Sequence, residues 1–379
     1  MLRVLSLNYE FPPIGGGGGN AHKHILQEFR HFPDIEITLV TSTIESSPSI
    51  KMLAPNVRLC LLPIRKRDLL YWRRGEVIKY LAINYGFMRE YLKTQTFDLC
   101  HVFFGFPSGL LAYHFRSKMP YIVSVRGSDV PGYNKRFALD YILLRPFLKR
   151  IYSSAKAVVA NSRGLSDLFH EQFPHLNAPV IPNGVDTEKF APQPKSNTDG
   201  LSLVTVARLI PRKGIDLLIR ACAEINREQI PFNCHIIGAG PEEDALKKMS
   251  QELGVAQRIH FHGRMNKDAV AGFLPKCDIF VLPSYAEGMS NAALEAMGCG
   301  LPLLLTATGG SRELVAGNGR IIPTGDVSAL TDVLRDWLSK PELVDSMGQR
   351  SRICANAFSW ISVAQRYRDM YIQLAGRQQ

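Results

Sequence analysis

The sequence predicts an α/β protein of two domains, each built on a parallel β-sheet, from three observations. A length of 379 residues is enough for two separate cores. Short apolar runs alternate with longer amphipathic stretches, as buried parallel strands alternate with helices. A polar, proline-bearing stretch at 191–200 separates two halves of this kind. We therefore expect a first domain over 1–190 and a second over 195–359.

Composition limits the class of protein. Hydrophobic residues make up 46% and charged residues 21% of the chain, as in soluble globular proteins. The seven cysteines form no C-x-x-C pair, which predicts reduced, mostly buried thiols in a cytoplasmic protein. The amino-terminal apolar run is too short for a secretory signal, and no stretch approaches the roughly 20 apolar residues of a membrane span. We expect a protein that is neither exported nor transmembrane.

The net charge of +11 is concentrated in the first half. Residues 1–190 hold 24 Lys and Arg against 15 Asp and Glu, which predicts an anionic partner for this half. No helix-turn-helix, zinc or RNP-like pattern accompanies the charge, so nucleic acid is not expected. An acidic membrane surface or a phosphate-bearing lipid fits better.

A glycine run, residues 15–19, follows the first predicted strand, Arg3 to Asn8, and precedes a helix expected to continue to about His31. Such a run lets the backbone approach a ligand closely. The competing interpretation is the G-x-G-x-x-G turn of a nicotinamide dehydrogenase. Five consecutive glycines satisfy that pattern by accident, and no acidic residue ends the second strand, Ile35 to Thr41. A dehydrogenase is therefore disfavoured.

Residues 64–93 are basic and aromatic, with eight Lys and Arg against three acidic residues. Such a segment can form an amphipathic helix that lies on an anionic bilayer. It can equally form a surface helix whose aromatic residues pack on the sheet. Both interpretations remain open here.

Two predicted strands of the first half end in polar residues. His101 lies in the strand Phe97 to Phe103, and Arg126 and Asp129 follow the strand Pro120 to Val125. Ligands of α/β proteins bind at such strand ends. Arg126 is a fixed cation suited to a phosphate or acidic group, and Asp129 to a hydroxyl. The alternative is a buried salt bridge between the two.

The second half carries two cations beside a strand-to-helix turn. Arg208 and Lys213 follow the strand Leu201 to Val206, and they can converge on a diphosphate. The next predicted strand runs into the turn G-A-G-P-E, which contains Gly240.

The segment Leu282 to Pro302 combines a strand end, a small-residue loop and a short helix, Asn291 to Met297. Ser290 is the expected N-cap. The amides of the helix N-terminus form an anion site, and Glu287 and Glu295 flank it. This combination suits a sugar nucleotide, which needs N–H donors for its phosphates and carboxylate acceptors for its hydroxyls.

The segment EGMSNAALEAMGCGLPLL resembles the E-x7-E signature of retaining glycosyltransferases of the GT-B fold, in the group 1 (GT4-like) family. R-x4-K-G at 208–214, G-x-G-P-E at 238–242 and PNGVD at 182–186 are similar to further motifs of this family, so the resemblance covers nearly the whole chain. It implies two Rossmann-like domains facing across a cleft, with a C-terminal helix at about 360–379 crossing back to the first domain.

The resemblance implies hexosyl transfer, with retention, from a nucleotide sugar such as a UDP- or GDP-sugar to a glycan or lipid-linked acceptor. Polysaccharide or glycolipid biosynthesis is the expected setting, with no cofactor. No D-x-D motif occurs, so we expect no metal and assign its role to the cations. The family implies front-face attack rather than Glu287 as a covalent nucleophile. It also favours membrane or acceptor contact for 64–93, hence a cytoplasmic protein peripheral to the inner face of the cell membrane.

The resemblance also assigns roles to individual residues. The catalytic group would be Arg208, Lys213 and Glu287, with Glu287 contacting the donor sugar and Glu295 the ribose. The remaining donor contacts would be Gly16, Gly17, Gly18, Gly240, Arg264, Met265, Met289, Ser290 and Asn291. The acceptor side would hold His101, Arg126 and Asp129.

Two other classes stay open. A sugar-nucleotide epimerase would need further acid and base groups and no acceptor. A non-catalytic protein that binds nucleotide sugars would not be expected to retain both cations and both glutamates.

Overall fold

The computed structural model describes residues 1–66, 68–69, 71–133, 138–194 and 200–376, without the side chains of residues 138 and 139. The chain divides into two compact units. The first unit is Met1–Asn183 together with Trp360–Gln379, and the second is Gly184–Ser359. Each contains a predominantly or wholly parallel sheet with helices, which confirms the predicted fold class.

The first unit contains a seven-stranded sheet of order β3-β4-β2-β1-β5-β6-β7. Its pairs are parallel except β3–β4, which is antiparallel. The strands are β1 Leu2–Asn8, β2 Ile35–Thr43, β3 Ser49–Ala54, β4 Val57–Pro63, β5 Leu99–Phe103, β6 Tyr121–Ser124 and β7 Ala157–Val159. The helices described before the second unit are α1 Gly17–Glu28, α2 Arg74–Thr94, α3 Ser108–His114, α4 Ala138–Ser154 and α5 Arg163–Gln172.

The second unit contains a six-stranded parallel sheet of order β10-β9-β8-β11-β12-β13. The strands are β8 Leu201–Val206, β9 Phe232–Ile237, β10 Ile259–Phe261, β11 Ile279–Leu282, β12 Leu303–Thr306 and β13 Gly319–Ile322. The helices are α6 Ile215–Arg227, α7 Glu243–Glu252, α8 Lys267–Phe273, α9 Asn291–Gly298, α10 Ser311–Leu314, α11 Val327–Leu338 and α12 Pro341–Ala355. The strand order reverses between β8 and β11, and such a switch point is where open α/β sheets bind ligands.

The C-terminal helix α13, Trp360–Leu374, belongs to the first unit, as the resemblance implied. It packs along α1, and its residues Val363, Tyr367 and Tyr371 are buried in the core of that unit. The hydrophobic effect of this burial is what fixes the end of the chain to the first sheet.

The chain enters the second unit at Gly184, before the predicted linker at 191–200. Val185 and Phe190 are both buried in a core cluster of the second unit. The amide of Val185 also donates to the carbonyl of Phe358 (2.7 Å). Two apolar side chains, one within the family-like PNGVD motif and one just after it, therefore draw the segment onto the second unit. Residues 195–199 of the predicted linker lie outside the described residues.

The cysteines are unpaired, and six of the seven are buried, as expected from their spacing. Across the described residues, every helix is too short or too polar to cross a bilayer.

Candidate functional site

The first part of the site is the turn that follows β8. Pro211–Lys213 form a short 3-10 turn, and Gly214 ends it with a φ of +64°, a conformation that favours glycine. A side chain at Gly214 would also collide with the carbonyl oxygen of Pro283. The amide of Tyr285 donates to the carbonyl of Arg212 (2.9 Å). The R-x4-K-G turn is therefore held against the loop that follows β11.

This contact brings Lys213 and Glu287 together. The ammonium Nζ of Lys213 forms an ion pair with Oε1 of Glu287, and the two side chains are 14% and 13% exposed. The hydroxyl of Ser284 donates to the same carboxylate oxygen (3.2 Å). Among the described residues, no hydrogen bond to Oε2 of Glu287 is present. The pair is thus partly shielded from water but keeps one carboxylate oxygen for another donor.

The helix predicted after this loop forms as expected. Ser290 is the N-cap of α9, and its hydroxyl accepts from the amide of Ala293 (3.2 Å). The helix ends at Gly298, one residue beyond the predicted Met297. Met289 is buried, and Ser290 and Asn291 are half-buried. The positive end of the helix dipole therefore lies only a few residues from Glu287.

A third loop, after β12, packs on the same corner. A side chain at Gly309, where φ is +40°, would collide with the carbonyl oxygens of Glu287 and Gly288. The amide of Gly310 donates to the carbonyl of Gly288 (2.6 Å), and the hydroxyl of Thr306 donates to the carbonyl of Ser284 (2.5 Å). The loops after β8, β11 and β12 thus meet at the switch point of the sheet.

Glu295 lies within α9 and is 13% exposed. Its Oε1 is 3.5 Å from Nζ of Lys267, a half-exposed lysine on α8 that the sequence did not single out. Burial raises the pKa of the Glu295 carboxyl, while Lys267 and Lys189 oppose this shift. A lysine at this distance favours the charged form of the carboxyl, which is the stronger hydrogen-bond acceptor.

The remaining donor-side candidates lie at different distances from the ion pair. Arg208 is exposed just after β8, and the amide of Leu209 donates to the carbonyl of Ala239, beside Gly240 (3.0 Å). Arg264 and Met265 follow β10, the edge strand of the sheet. The structure brings Gly240 to the β8 turn, and no contact of Arg264 or Met265 with the ion pair is present.

In the first unit, Asp129 is a structural carboxylate, contrary to its expected role. It is buried, its Oδ1 accepts the amides of Arg126 (2.8 Å) and Gly127 (3.0 Å), and its Oδ2 accepts the amide of Gly105 (2.9 Å). Burial raises its pKa and these three amides lower it. Three of its roughly four acceptor positions are used by the loop itself, and the residue is 4% exposed, which argues against a contact with a sugar hydroxyl.

Arg126 is half-buried and forms no salt bridge with Asp129. Its Nη1 donates to Oδ1 of Asn183 (2.9 Å), its Nη2 to the hydroxyl of Tyr367 (3.2 Å), and its guanidinium lies 4.3 Å from the ring centroid of Phe103. The guanidinium is therefore held in a defined position, as an anion-binding arginine requires. The alternative of a salt bridge is wrong, and the anion-binding role stays a prediction.

His101 is not available to an acceptor. It is 1% exposed, with Nδ1 2.6 Å from the hydroxyl of Tyr371 and Nε2 2.8 Å from that of Ser124. Burial, and then Arg126, hold its pKa well below the usual value. Both ring nitrogens are engaged inside the core, which argues against the expected acceptor contact.

A second buried histidine, which the sequence did not single out, is His22 on α1. Its ring stacks on Phe103 at 3.7 Å between centroids and bonds Ser6 (3.1 Å) and Asn8 (3.0 Å). The signal was available, because His22 occupies the same helical face as the apolar residues Ile25 and Leu26.

The glycine run does not form the expected open loop. Helix α1 begins at Gly17, and the amide of Asn20 donates to the carbonyl of Gly16 (3.2 Å), closing the first turn. Glycine is a poor helix former, which is why the sequence placed the start later. The amide of Gly16 also donates to Oε2 of Glu10 (3.3 Å), a carboxylate the sequence did not single out. The role of Gly16, Gly17 and Gly18 toward a donor stays a prediction.

Within 64–93, the aromatic residues are divided between core and solvent, and Tyr71 is 53% exposed. Tyr80 is fully buried and Trp72 packs edge-on against Tyr9 at 5.0 Å. Tyr85 is 37% exposed. Residues 67 and 70 lie outside the described residues. The structure therefore favours packing on the sheet for Trp72 and Tyr80.

Among the described residues, no cluster of three or more His, Cys, Asp or Glu could hold a metal ion.

Two parallel-sheet units, with cations, a carboxylate and a helix N-terminus at the switch point of the second, define a glycosyltransferase of the GT-B type. The sequence model of the family described as "Glycosyl transferases group 1" matches residues 186–353, and that of "Glycosyltransferase Family 4" matches residues 16–189. The chain belongs to this group 1, GT4-like family of glycosyltransferases.

Curated glycosyltransferases are similar to this chain in sequence. An uncharacterized glycosyltransferase of Methanocaldococcus jannaschii is 26% identical, with 99% of each chain aligned. A GDP-mannose-dependent alpha-(1-6)-phosphatidylinositol monomannoside mannosyltransferase of Mycolicibacterium smegmatis is 32% identical over 55% of this chain and 59% of its own length.

Solved structures show the same fold. Sucrose-phosphate synthase from Thermosynechococcus elongatus aligns over 100% of both chains with a TM-score of 0.79 and 20% identity. Anabaena HepE, solved in complex with UDP, aligns over 98% of this chain and 100% of its own with a TM-score of 0.72 and 18% identity.

Proposed function

We propose that this glycosyltransferase moves a hexose, with retention and without a metal, from a nucleoside-diphosphate sugar to a glycan or lipid-linked acceptor. The setting would be cell-surface polysaccharide or glycolipid synthesis in the cytoplasm. The names of the relatives support this class, since they include a GDP-mannose-dependent lipid mannosyltransferase and a putative colanic acid biosynthesis glycosyltransferase of Escherichia coli. Anabaena HepE was solved with UDP-glucose.

The observation that carries the proposal is the ion pair of Lys213 and Glu287 beside the N-terminus of α9. A donor diphosphate next to the ion pair would share the lysine, which has three donors on one ammonium. Oε2 of Glu287 would accept a hydroxyl of the donor sugar. One corner thus binds both the leaving phosphate and the transferred sugar.

Departure of the nucleoside diphosphate leaves negative charge on the β-phosphate. Lys213, Arg208 and the amides of the first turn of α9 would stabilise this charge, which is the role a metal ion plays in other transferases. The sugar would carry positive charge in the same transition state. Glu287 would then stabilise the sugar through its carboxylate while the acceptor attacks from the leaving-group face, giving retention.

The nucleoside would bind further along the same sheet edge. Glu295 would accept the ribose hydroxyls, and the backbone around Arg264 and Met265 would meet the base. Ser290, Asn291 and Gly240 would line the diphosphate. In the first unit, Arg126 would bind an anionic group of the acceptor.

The first test is a thermal-shift series with UDP, GDP, ADP, CMP and NAD. A ligand at 100 times its Kd stabilises the folded state by about 2.7 kcal/mol, so one nucleoside diphosphate should raise the Tm clearly. The matching sugar nucleotide and an acceptor should then release that diphosphate in the presence of EDTA, and the anomeric proton coupling of the product should match that of the donor. Stabilisation by NAD alone would contradict the proposal.

The epimerase alternative is separated by the same assay. An epimerase would convert the donor sugar with no acceptor present, whereas a transferase requires the acceptor for turnover. A non-catalytic binding protein would show the Tm shift and neither reaction. The presence of both Lys213 and Glu287, joined in an ion pair, is the feature that favours the transferase.

A further inference from the structure

Helix α4 exposes large apolar side chains to solvent. Ile142, Leu143 and Phe147 are 69%, 74% and 50% exposed, and they form the largest group of exposed apolar residues on any described helix. Pro146, also exposed, lies between them. Single exposed apolar residues need no explanation, but a group on one helix marks an interaction surface.

Other residues of α4 anchor the helix to the core, so the exposed apolar residues are not needed for packing. Leu148, Ile151 and Tyr152 are each about 1% exposed and pack in the core of the first unit. The hydroxyl of Tyr152 donates to the carbonyl of Asp129 (2.7 Å). Because an α-helix places residues about 100° apart, Ile142 and Leu143 project away from these three, and Phe147 lies at the border of the buried face.

The exposed face is also cationic. Arg145, Lys149 and Arg150 are exposed between and beside the apolar residues, and none forms an ion pair with a described carboxylate. The acidic residue of the first turn, Asp140, is bonded to Arg74 of α2 (2.8 Å). The face therefore presents unneutralised positive charge together with apolar side chains.

Apolar grooves lie on both sides of α4. One, of about 620 Å³, is lined by Ile78 and Tyr85 of α2 and by Phe147. The other, of about 700 Å³, is lined by Ile142, Pro146 and, from the chain after α5, Leu176. The cations Arg116 and Arg150 border the first groove, and Arg145 and Lys149 the second. The apolar surface thus continues beyond the helix and keeps a basic rim.

We propose that this α4 face, defined by Ile142, Leu143, Phe147, Arg145, Lys149 and Arg150, docks the protein on an anionic lipid bilayer. Apolar side chains can enter the boundary between head groups and acyl chains while the arginines and lysine remain at the anionic head groups. The complement of such a face is a surface that is negative outside and apolar beneath. A bilayer containing anionic lipid has that layering.

This places the membrane contact on a different element from the one the sequence indicated. Within 64–93, Tyr80 is buried, whereas Ile78 and Tyr85 are exposed and line the groove shared with α4. Helix α2 therefore contributes the edge of the docking surface, and α4 its centre.

The test is vesicle co-sedimentation with the full chain. Native protein should bind phosphatidylcholine vesicles that contain phosphatidylglycerol, bind pure phosphatidylcholine vesicles much less, and be released by 0.5 M salt, roughly the range in which screening removes surface attraction. The triple variant Ile142→Gln, Leu143→Gln and Phe147→Gln should weaken binding at least about tenfold. The double variant Arg145→Gln and Lys149→Gln should weaken it about 25-fold, since each cation near an anionic surface contributes roughly fivefold.

Matched controls lie in the second unit. Ile353→Gln replaces an equally exposed isoleucine on α12, and Lys248→Gln with Lys276→Gln removes two exposed lysines. These variants should bind vesicles like the native protein. All substituted positions are exposed, so thermal melting should show an intact fold throughout.

Three results would overturn the proposal. They are no binding to anionic vesicles, equal loss in the control variants, and a native dimer by light scattering that the triple variant converts to monomer, which would assign the face to a second copy of the chain. Lys213→Ala protein should still bind vesicles, so failure of the docking proposal and failure of the proposed reaction are distinguishable.

Discussion

The two units use their polar residues in opposite ways. In the first, His101 and Asp129 are buried, and all ring nitrogens or carboxylate oxygens have partners within the fold. In the second, Lys213 and Glu287 keep part of their surface exposed, and the carboxylate keeps one oxygen without a hydrogen bond from the described residues. Position at a strand end therefore does not distinguish a structural polar residue from a candidate site residue. The hydrogen-bonding capacity that remains free does.

This difference has a physical cause. A buried polar group must be hydrogen-bonded, or the protein loses stability. A residue that satisfies this requirement within the fold has no capacity left for a substrate. A residue at a partly open strand end can exchange water or a neighbouring charge for a ligand.

Replacement of Lys213 should give the largest loss. Lys213→Ala should lower kcat by about 10² to 10³, because a preorganised donor to the leaving charge is removed. The Tm should fall modestly, since the Glu287 carboxylate, which is 13% exposed, loses its cation but keeps the hydroxyl of Ser284. Lys248→Ala, an exposed lysine on α7, should retain full transfer. Full activity of Lys213→Ala would show that this lysine does not take part in catalysis.

Replacement of His101 should act on stability instead. His101→Ala should cost about 3 kcal/mol of unfolding free energy, because it leaves a cavity and removes the hydrogen bond to the buried hydroxyl of Tyr371. The measurement is the denaturant midpoint of the first unit's transition. His114→Ala, at an exposed position, should stay within about 0.5 kcal/mol. Unchanged stability with lost transfer would show that His101 acts on the substrate.

Glu295 should make donor binding depend on pH. Burial raises its pKa above the usual 4.5, so the carboxyl gains its proton at a higher pH than a free glutamate. Protonation removes the charged acceptor, and the donor KM should therefore rise as the pH falls through this raised pKa. Glu295→Gln should raise KM about tenfold at neutral pH and remove the pH dependence.

The control is Glu252→Gln, an exposed carboxyl on α7. It should reproduce the native KM profile. A native-like profile for Glu295→Gln would exclude Glu295 as the titrating acceptor.

Ser290 should give the smallest effect. Ser290→Ala removes the N-cap of α9 and should cost about 1 kcal/mol of stability, with a several-fold higher donor KM. Asp326→Ala removes the equivalent cap of α11 and should cost the same stability without changing KM. Equal KM values for the two variants would show that the N-terminus of α9 does not bind the donor.

Much of the second unit could be predicted from sequence because its motifs are local. The strand Ile279–Leu282, the cap Ser290 and helix α9 follow from apolar runs, capping residues and glycine stops within 22 residues. The glycine of the R-x4-K-G turn is likewise required by its own backbone angle. The residues that contact the two glutamates were not predicted. Ser284 meets Glu287 through loop packing and Lys267 meets Glu295 through helix packing, and no local pattern indicates either contact.

The first unit was harder to predict because its polar residues interact over long sequence separations. His101 meets Tyr371, 270 residues away, and Arg126 meets Tyr367, 241 residues away. No local pattern distinguishes such a histidine from one at a ligand site. The helical start at Gly17 was missed for a related reason, since packing of the glycines overrides their low helix propensity.

From sequence alone, hydrophobic periodicity, caps and glycine turns predicted the fold class, and motifs predicted the family resemblance and the candidate residues Lys213, Glu287 and Ser290, because these signals act over short distances. Packing in three dimensions set which polar residues are consumed by the core, which residues meet the two glutamates, where the chain enters the second unit, and which helix exposes an apolar, basic face. Those outcomes depend on burial, and burial is fixed only when distant segments pack together.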